Sequence, residues 1–396
     1  LLHAPSFEFP DLMKSSLSIE TKLPTHGVSV FSQIAALAAR YNAVNLWQGA
    51  PNYSPDQTLI DSATEAMKAG FNQYSAMTGV ATLREALTEK IATLYGTRYD
   101  PETEITITAG GSEAIYATIA ALVKQGDEVI FFEPAFEVYE PVVRLQGAKP
   151  VPIQIPLDRL KIDWNEVAAA VTPRTRMIIV NTPHNPTGIV MEDEDIAALT
   201  AITRDSNIIV LADEVYEHVI FDGMEHRSMC RYPELAERSV VVFSLGKTYH
   251  VTGWRIGYCV APADLTSEIR KIHQYLVFSA PTPLQVAVAK EVSRPESYQR
   301  LRGFYEQKRD ILTQALSTSR FKLRPSHGSF FVLASFDHFS DLNDFDFAKQ
   351  LLVEKGVGTI PLSVFYGHGA ETGMIRLSFC KDDETLREGG RRLSTL

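Results

Sequence analysis

Lys247 stands in the run Ser244-Leu245-Gly246-Lys247-Thr248-Tyr249, just after the apolar stretch Val240-Val241-Val242-Phe243 and just before Arg255. A lysine between a glycine and small hydroxyl residues, at the end of a buried strand, is poorly placed for a solvated cation. Its amine is placed to attack an aldehyde, while Ser244 and Arg255 are suited to holding a phosphate. Pyridoxal phosphate (PLP) meets both requirements, since enzymes hold its aldehyde as a lysine Schiff base. An ordinary strand end, with a lysine reaching out to water, is the other reading of the same residues.

Four more places pair an apolar run with polar residues. Thr108-Ala109-Gly110-Gly111-Ser112-Glu113 leads from a strand into a helix, whose free N–H groups make a phosphate seat. A plain glycine-rich turn competes with that reading. In Pro134-Ala135-Phe136-Glu137-Val138-Tyr139, an aromatic past a strand end can stack on a flat ring or merely enter the core. Asn181-Thr182-Pro183-His184-Asn185-Pro186-Thr187-Gly188 holds two X-Pro steps, which stiffen the loop and present the Asn185 amide. His184 is expected on the solvent side of that loop. Asp213 closes the strand Ile208-Ile209-Val210-Leu211-Ala212, with Tyr216 soon after. A buried carboxylate there needs a partner, either a protonated ring nitrogen or backbone N–H groups. Finally, Arg376 lies inside Met374-Ile375-Arg376-Leu377-Ser378-Phe379, where it calls for a substrate carboxylate or an internal ion pair.

These residues need a frame. Strand-like runs span 104–108, 128–132, 176–181, 208–212, 239–244 and 255–260. Helical patterns lie between most of them: Val80, Leu83, Leu87, Ile91 and Leu94 keep helical spacing, and 112–123 and 192–202 read likewise. Asp163 is a candidate N-cap for 164–171. Such alternation implies an α/β fold, with a mostly parallel sheet covered by helices. Ligands of such sheets gather beyond the carboxyl ends of the strands. After about residue 290 the texture changes to a long polar helix over 295–319, strands over 328–335 and 374–379, and helices over 345–354 and 383–393. This predicts a smaller α+β domain.

The chain's 396 residues suffice for two or three domains, and its formal charge of −10, without a basic stripe, argues against nucleic acid. Cys230, Cys259 and Cys380 are scattered, forming neither a disulfide framework nor a metal site, which fits a reducing cytoplasm. No apolar run approaches the roughly 18 residues of a membrane helix. Met13-Lys14-Ser15-Ser16 reads as a native start, so residues 1–12 are expected to be an added extension or a short native arm.

Taken in order, Asn185 in an N-P-x-G loop, Asp213 with Tyr216, then Lys247, Arg255 and Arg376 make the chain resemble the PLP-dependent aminotransferases of fold type I, class I/II. The resemblance runs from about Pro24 to Leu393. It is closest to the methionine aminotransferase and kynurenine–glutamine transaminase subgroup, through Asn45–Pro51, Phe71–Tyr74, Glu133–Phe136 and Ile360–Tyr366. Trp47, Ala50 and Asn52-Tyr53 depart from commoner residues, which bears on the substrate side chain. The resemblance implies a seven-stranded, mostly parallel sheet. It divides the chain into an N-terminal arm with part of a small domain (1–48), a large PLP-binding domain (49–290) and a small C-terminal domain (291–396).

It further implies roles. Lys247 bears PLP and moves the Cα proton. Asp213 pairs with the ring nitrogen, and Asn185 and Tyr216 bind the ring oxygen. Phe136 stacks on the ring. The backbone of Gly111, Ser112 and Glu113, with Ser244 and Arg255, holds the phosphate. Tyr74 reaches the phosphate of a second subunit in a homodimer with shared sites. Arg376, Asn185 and the Gly49 backbone hold the substrate carboxylate. No metal is implied. The expected activity is cytoplasmic ping-pong transamination between an amino acid (methionine, aromatic or glutamine) and a 2-oxo acid. β-Elimination from cysteine conjugates is the alternative on the same fold. An aminotransferase-like sensor domain of a transcription regulator is a more distant one.

Overall fold

The near-continuous apolar runs form one seven-stranded sheet, since strands covered on both faces have no polar side to show. The computed structural model describes residues 17–18, 20–24, 27, 29–367 and 369–396; the start read at Met13 lies outside the described residues. The strands are β1 (Ile105–Thr108), β2 (Glu128–Glu133), β3 (Lys149–Gln154), β4 (Thr175–Asn181), β5 (Ile209–Asp213), β6 (Ser239–Ser244) and β7 (Gly257–Val260). Their spatial order is β1-β7-β6-β5-β4-β2-β3. Pairs from β6 to β3 are parallel, and β7 runs antiparallel to both of its neighbours.

Alternate side chains supply two cores. Ile130, Ile178, Val210 and Val241 pack with Leu83, Leu87 and Ile91 of the helix Ala81–Tyr95. Val129, Met177, Leu211 and Val240 pack on the opposite face with Ala114, Ile115 and Ile119 of the helix Gly111–Leu122. Strand β3 has no counterpart among the expected strands, because Pro150 and Pro152 break its pattern. It is an edge strand pairing only with β2, where prolines are tolerated.

A second sheet contains β8 (Lys322–Leu323), β9 (Phe331–Ser335), β10 (Ile360–Pro361) and β11 (Met374–Ser378), ordered β10-β11-β9-β8 and antiparallel throughout. Val332, Ala334, Ile375 and Leu377 face Tyr305, Leu312 and Leu386. The other face is covered by Ile34 and Ala38 of the helix Val30–Tyr41, which share a core with Leu333 and Ile360. Residues near the start of the chain therefore pack with its end. The single helix expected over 295–319 is two, Pro295–Gln299 and Leu301–Ala315, with a break at Arg300. Buried Tyr298, Leu301, Tyr305 and Leu312 keep helical spacing across the break, so periodicity alone joins the pieces. The helix expected over 345–354 is α-helical over Asp344–Gln350 and continues as a wider π turn over Leu351–Lys355.

Candidate active site

The carboxyl ends of β1, β4, β5 and β6 open onto a cavity of about 190 Å³. Its walls bring together Gly49, Gly111, Ser112, Phe136, Asn185, Asp213, Tyr216, Ser244, Lys247, Arg255 and Arg376, from segments spread over most of the chain.

One end is built for an anion. The helix Gly111–Leu122 starts after Gly110, at φ 86°, and no side chain caps its first turn. Arg255, itself at φ 55°, leans over that turn, donating from Nη2 to the Ala109 carbonyl at 3.3 Å and from Nη1 to the Thr252 carbonyl at 3.2 Å. A Cβ on Gly110 would fall 2.5 Å from Arg255 Nη2, and one on Gly257 would fall 2.7 Å from the Gly111 nitrogen. Glycine is required at both for the cradle to stay open. Ser244 caps the short helix Leu245–Thr248, its Oγ accepting the Lys247 N–H at 3.4 Å. The Glu113 carboxylate turns away, accepting from the Ala109 N–H at 3.0 Å and lying 2.9 Å from His273 Nδ1, which leaves only its backbone for the cradle.

In the middle sits Asp213, 2% exposed. Its Oδ2 accepts from the Tyr139 hydroxyl at 2.6 Å. Burial pushes its carboxyl up to about 6, against the Tyr139 hydrogen bond, which pulls it down. A cation or strong donor in the cavity would restore full ionisation. Asn181, at the end of β4, donates to the Asp213 carbonyl at 2.8 Å and accepts from the Asn185 N–H at 2.8 Å, tying the two loops together. Facing this pair, Lys247 Nζ donates to the Gly49 carbonyl at 2.8 Å and stands 5.5 Å from the Tyr216 and Phe330 ring centres. Burial brings the Lys247 amine down to about 8; Arg376 and Arg255 push the same way, while Cys380 and Asp213 oppose. A substantial neutral fraction near pH 8 makes this amine a nucleophile and a base.

The far end holds Arg376. It donates from Nη1 to Asn185 Oδ1 at 2.8 Å and from Nη2 to the Trp47 carbonyl at 3.0 Å. Its guanidinium carbon stands 3.9 Å from the Phe331 ring centre, 4.8 Å from Phe365 and 5.4 Å from Phe31. Among the described residues it has no ion pair, Nε lacks any partner, and burial lowers its pKa to about 10. A buried cation with no carboxylate in contact is costly, Glu137 opposing the shift only from a distance, and an incoming carboxylate matches its fork. Of the two sequence readings of Arg376, the internal ion pair finds no carboxylate in contact among the described residues, and Glu137 acts on it only at longer range.

Tyr74 and His184 do not line this cavity. Tyr74 is 82% exposed, away from the cavity, its ring meeting Phe278 edge-on at 5.5 Å. His184 is not on the solvent side: it is 3% exposed, because the Asn181–Gly188 loop folds inward and Nδ1 meets Thr187 Oγ1 at 2.8 Å. Sequence reasoning missed Tyr139, Asn181 and the three phenylalanines around Arg376. Tyr139 stood in the stretch read for Phe136, and Phe365 in one of the stretches behind the resemblance. Phe31 and Phe331 carry no local signal, since only the fold brings them to Arg376.

The family model for class I and II aminotransferases matches residues 41–393. Methionine aminotransferase of Escherichia coli is 45% identical over 95% of this chain and 98% of its own length. The kynurenine–oxoglutarate transaminase of Dictyostelium discoideum is 33% identical, covering 97% of this chain and 98% of its own length. An E. coli crystal structure reported with methionine aminotransferase function superposes with a TM-score of 0.93 at 44% identity, over 96% of this chain and 100% of that one. Aspartate aminotransferase of Thermus thermophilus with maleate superposes at 0.88 and 28% identity, over 96% and 99%.

Proposed function

The chain belongs to the class I and II aminotransferases, and we propose from that premise that it uses PLP in the cavity at Lys247 to move amino groups between neutral amino acids and 2-oxo acids. The observation that carries this reading is the joint presence of a lysine amine brought down to about 8, a buried Asp213 short of a cationic partner and an uncapped helix start under Arg255.

The residues fit that group. The first turn at Gly111, Ser112 and Glu113, with Ser244 and Arg255, suits a phosphate. Helix ends contribute about 0.3–2 kcal/mol to such an anion, so Arg255 and Ser244 must supply much of the rest. Asp213, held by Tyr139, suits a protonated ring nitrogen, and Phe136 offers an aromatic wall. Among the described residues no hydrogen bond engages the Tyr216 hydroxyl, which leaves it available, with Asn185, for a ring oxygen. Bound PLP supplies an electron sink that acidifies the substrate Cα–H.

The chain's own residues do the rest. Arg376, with Asn185 and the segment at Trp47 and Gly49, fixes the substrate carboxylate and hence the direction of Cα–H. Lys247 Nζ, neutral above about pH 8, takes the Cα proton and returns it. Phe31, Phe331 and Phe365 exclude water from the carboxylate site. The rate of aldehyde capture by the apoprotein is expected to rise with pH and level off above about pH 8 in stopped-flow absorbance. A rate still climbing beyond pH 10, as for an ordinary lysine near 10.4, would contradict the role of burial.

Substrate class follows from charge. The charged groups lining the cavity are Glu137, Asp213, Lys247, Arg255 and Arg376. Four have the roles above. Glu137 remains, exposed at the edge of the cavity and accepting from the Ser29 hydroxyl at 3.5 Å. A second substrate carboxylate would meet this negative charge and, among the described residues, no spare cation. Neutral donors such as methionine, phenylalanine and glutamine are therefore favoured over aspartate and glutamate. A donor–acceptor panel tests this, with Glu137→Gln raising kcat/KM for glutamate by at least about tenfold while methionine changes little, since like charges in contact cost several kcal/mol. Equal use of glutamate and methionine by the wild type would refute the charge argument; absence of any transamination would refute the function.

The reading includes a homodimer. Met67, Phe71, Tyr74 and Tyr275–Phe278 are exposed and largely apolar, a patch suited to a second copy whose cradle Tyr74 would complete. A cytoplasmic location rests on the three free, buried cysteines. Among the described residues no helix is long and apolar enough to cross a membrane.

A further inference from the structure

A second cavity, about 340 Å³, lies behind the Asn181–Gly188 loop. Asn181 lines both cavities. The loop therefore serves one cavity with each face. Asn185 reaches Arg376 in the first, and His184 lines the second.

The second cavity has an apolar floor and unpartnered donors. Phe132, Ile189, Met191 and Trp164 form the floor, with the Phe132 and Trp164 rings edge-on at 5.8 Å and the Trp164 indole tethered to Asp195 Oδ1 at 2.8 Å. Arg324 has no side-chain hydrogen bond or ion pair among the described residues, and its Nε is buried without a partner. His184 Nε2 likewise has none. The buried Thr187 hydroxyl has no acceptor other than His184 Nδ1 among the described residues, so its proton serves Nδ1 and leaves Nε2–H as a donor. Burial keeps this imidazole neutral, at about 3. Acidic groups are present but engaged or exposed: Asp195 holds Trp164 and the Glu192 N–H, Glu192 completes that reciprocal cap and lies 4.0 Å from Lys161 Nζ, and Asp158 and Glu194 are exposed. The volume falls in the range of small-molecule sites, roughly 300–1,000 Å³.

We propose that this cavity is an effector site for a small carboxylic acid with a flat apolar body, and that its occupation is coupled to substrate binding through the Asn181–Gly188 loop. The carboxylate would be met by Arg324 and His184, and the flat body by Trp164, Phe132 and Met191. The coupling route is short. The Gly188 carbonyl accepts from the His327 and Gly328 N–H groups at 2.9 and 3.0 Å, pinning the loop to the segment that carries Arg324. That segment leads into β9, where Leu333 pairs with Arg376 of β11. A ligand spanning Arg324 and His184 therefore joins the loop that carries Asn185 to the segment leading into β9, the strand paired with β11, whose Arg376 donates to Asn185 in the first cavity. The binding claim is independent of the function proposed above; only the coupling rests on it.

The probe is 4-iodophenylacetate, titrated calorimetrically into the holoenzyme and soaked into crystals so that iodine marks its place. Two binding events per chain are expected. Arg324→Ala, or Ile189→Trp, which fills the cavity from its own wall, removes one; Arg376→Ala removes the other. Iodine should appear beside Trp164. Filling the second cavity is expected to shift the dissociation constant of the first about fivefold or more, and Arg324→Ala to abolish the shift. Iodine confined to the Arg376 cavity, or binding untouched by both Arg324→Ala and Ile189→Trp, overturns the site. Two independent events overturn the coupling alone.

Discussion

Lys247→Ala is expected to lower the transamination rate by about 10²–10⁴-fold, the usual contribution of a positioned acid–base group, with folding intact. The amine makes one hydrogen bond, to the Gly49 carbonyl, so its loss removes little structural support. The cradle at Gly111, Ser244 and Arg255 is untouched, so PLP is expected to bind weakly and without the visible band of the lysine-linked form. Added small primary amines should recover part of the rate, because the cavity left behind admits a neutral base. A variant turning over within tenfold of wild type would remove Lys247 from the chemistry.

Arg376→Ala is expected to raise KM for amino acids and 2-oxo acids by about 10–100-fold, matching the roughly 1.5–3 kcal/mol of a charged hydrogen-bonding contact. The PLP spectrum should stay unchanged. Arg376→Met adds a stability signature. The native arginine is buried among Phe31, Phe331 and Phe365 with no carboxylate in contact among the described residues, so the ligand-free protein carries a desolvation cost that methionine would relieve. Thermal melts of the ligand-free proteins should show Met at or above wild type, although substrate affinity is lost. An unchanged KM would take Arg376 out of the substrate site.

Much of this was legible in the sequence because strand-end polar residues are conspicuous against apolar runs. Asp213, Lys247 and Asn185 each follow such a run, and the structure gathers all three in one cavity. Strand β3 was not legible, since two prolines in six residues mask an edge strand whose fitness depends on having only one neighbour. His184 was misplaced because loop residues are usually exposed, and nothing local shows that this loop folds inward. The aromatic surround of Arg376 was hidden for another reason. Phe31, Phe331 and Phe365 come from distant segments, and only the packing of the early helix on the second sheet brings them together.

On the function proposed above, PLP is held by one amine in the first cavity. Borohydride reduction of the holoprotein, followed by proteolysis and mass mapping, tests this most directly. A single pyridoxyl label on the peptide containing Lys247 is the expected result. A label on another lysine, or none on a protein that still transaminates, would contradict it.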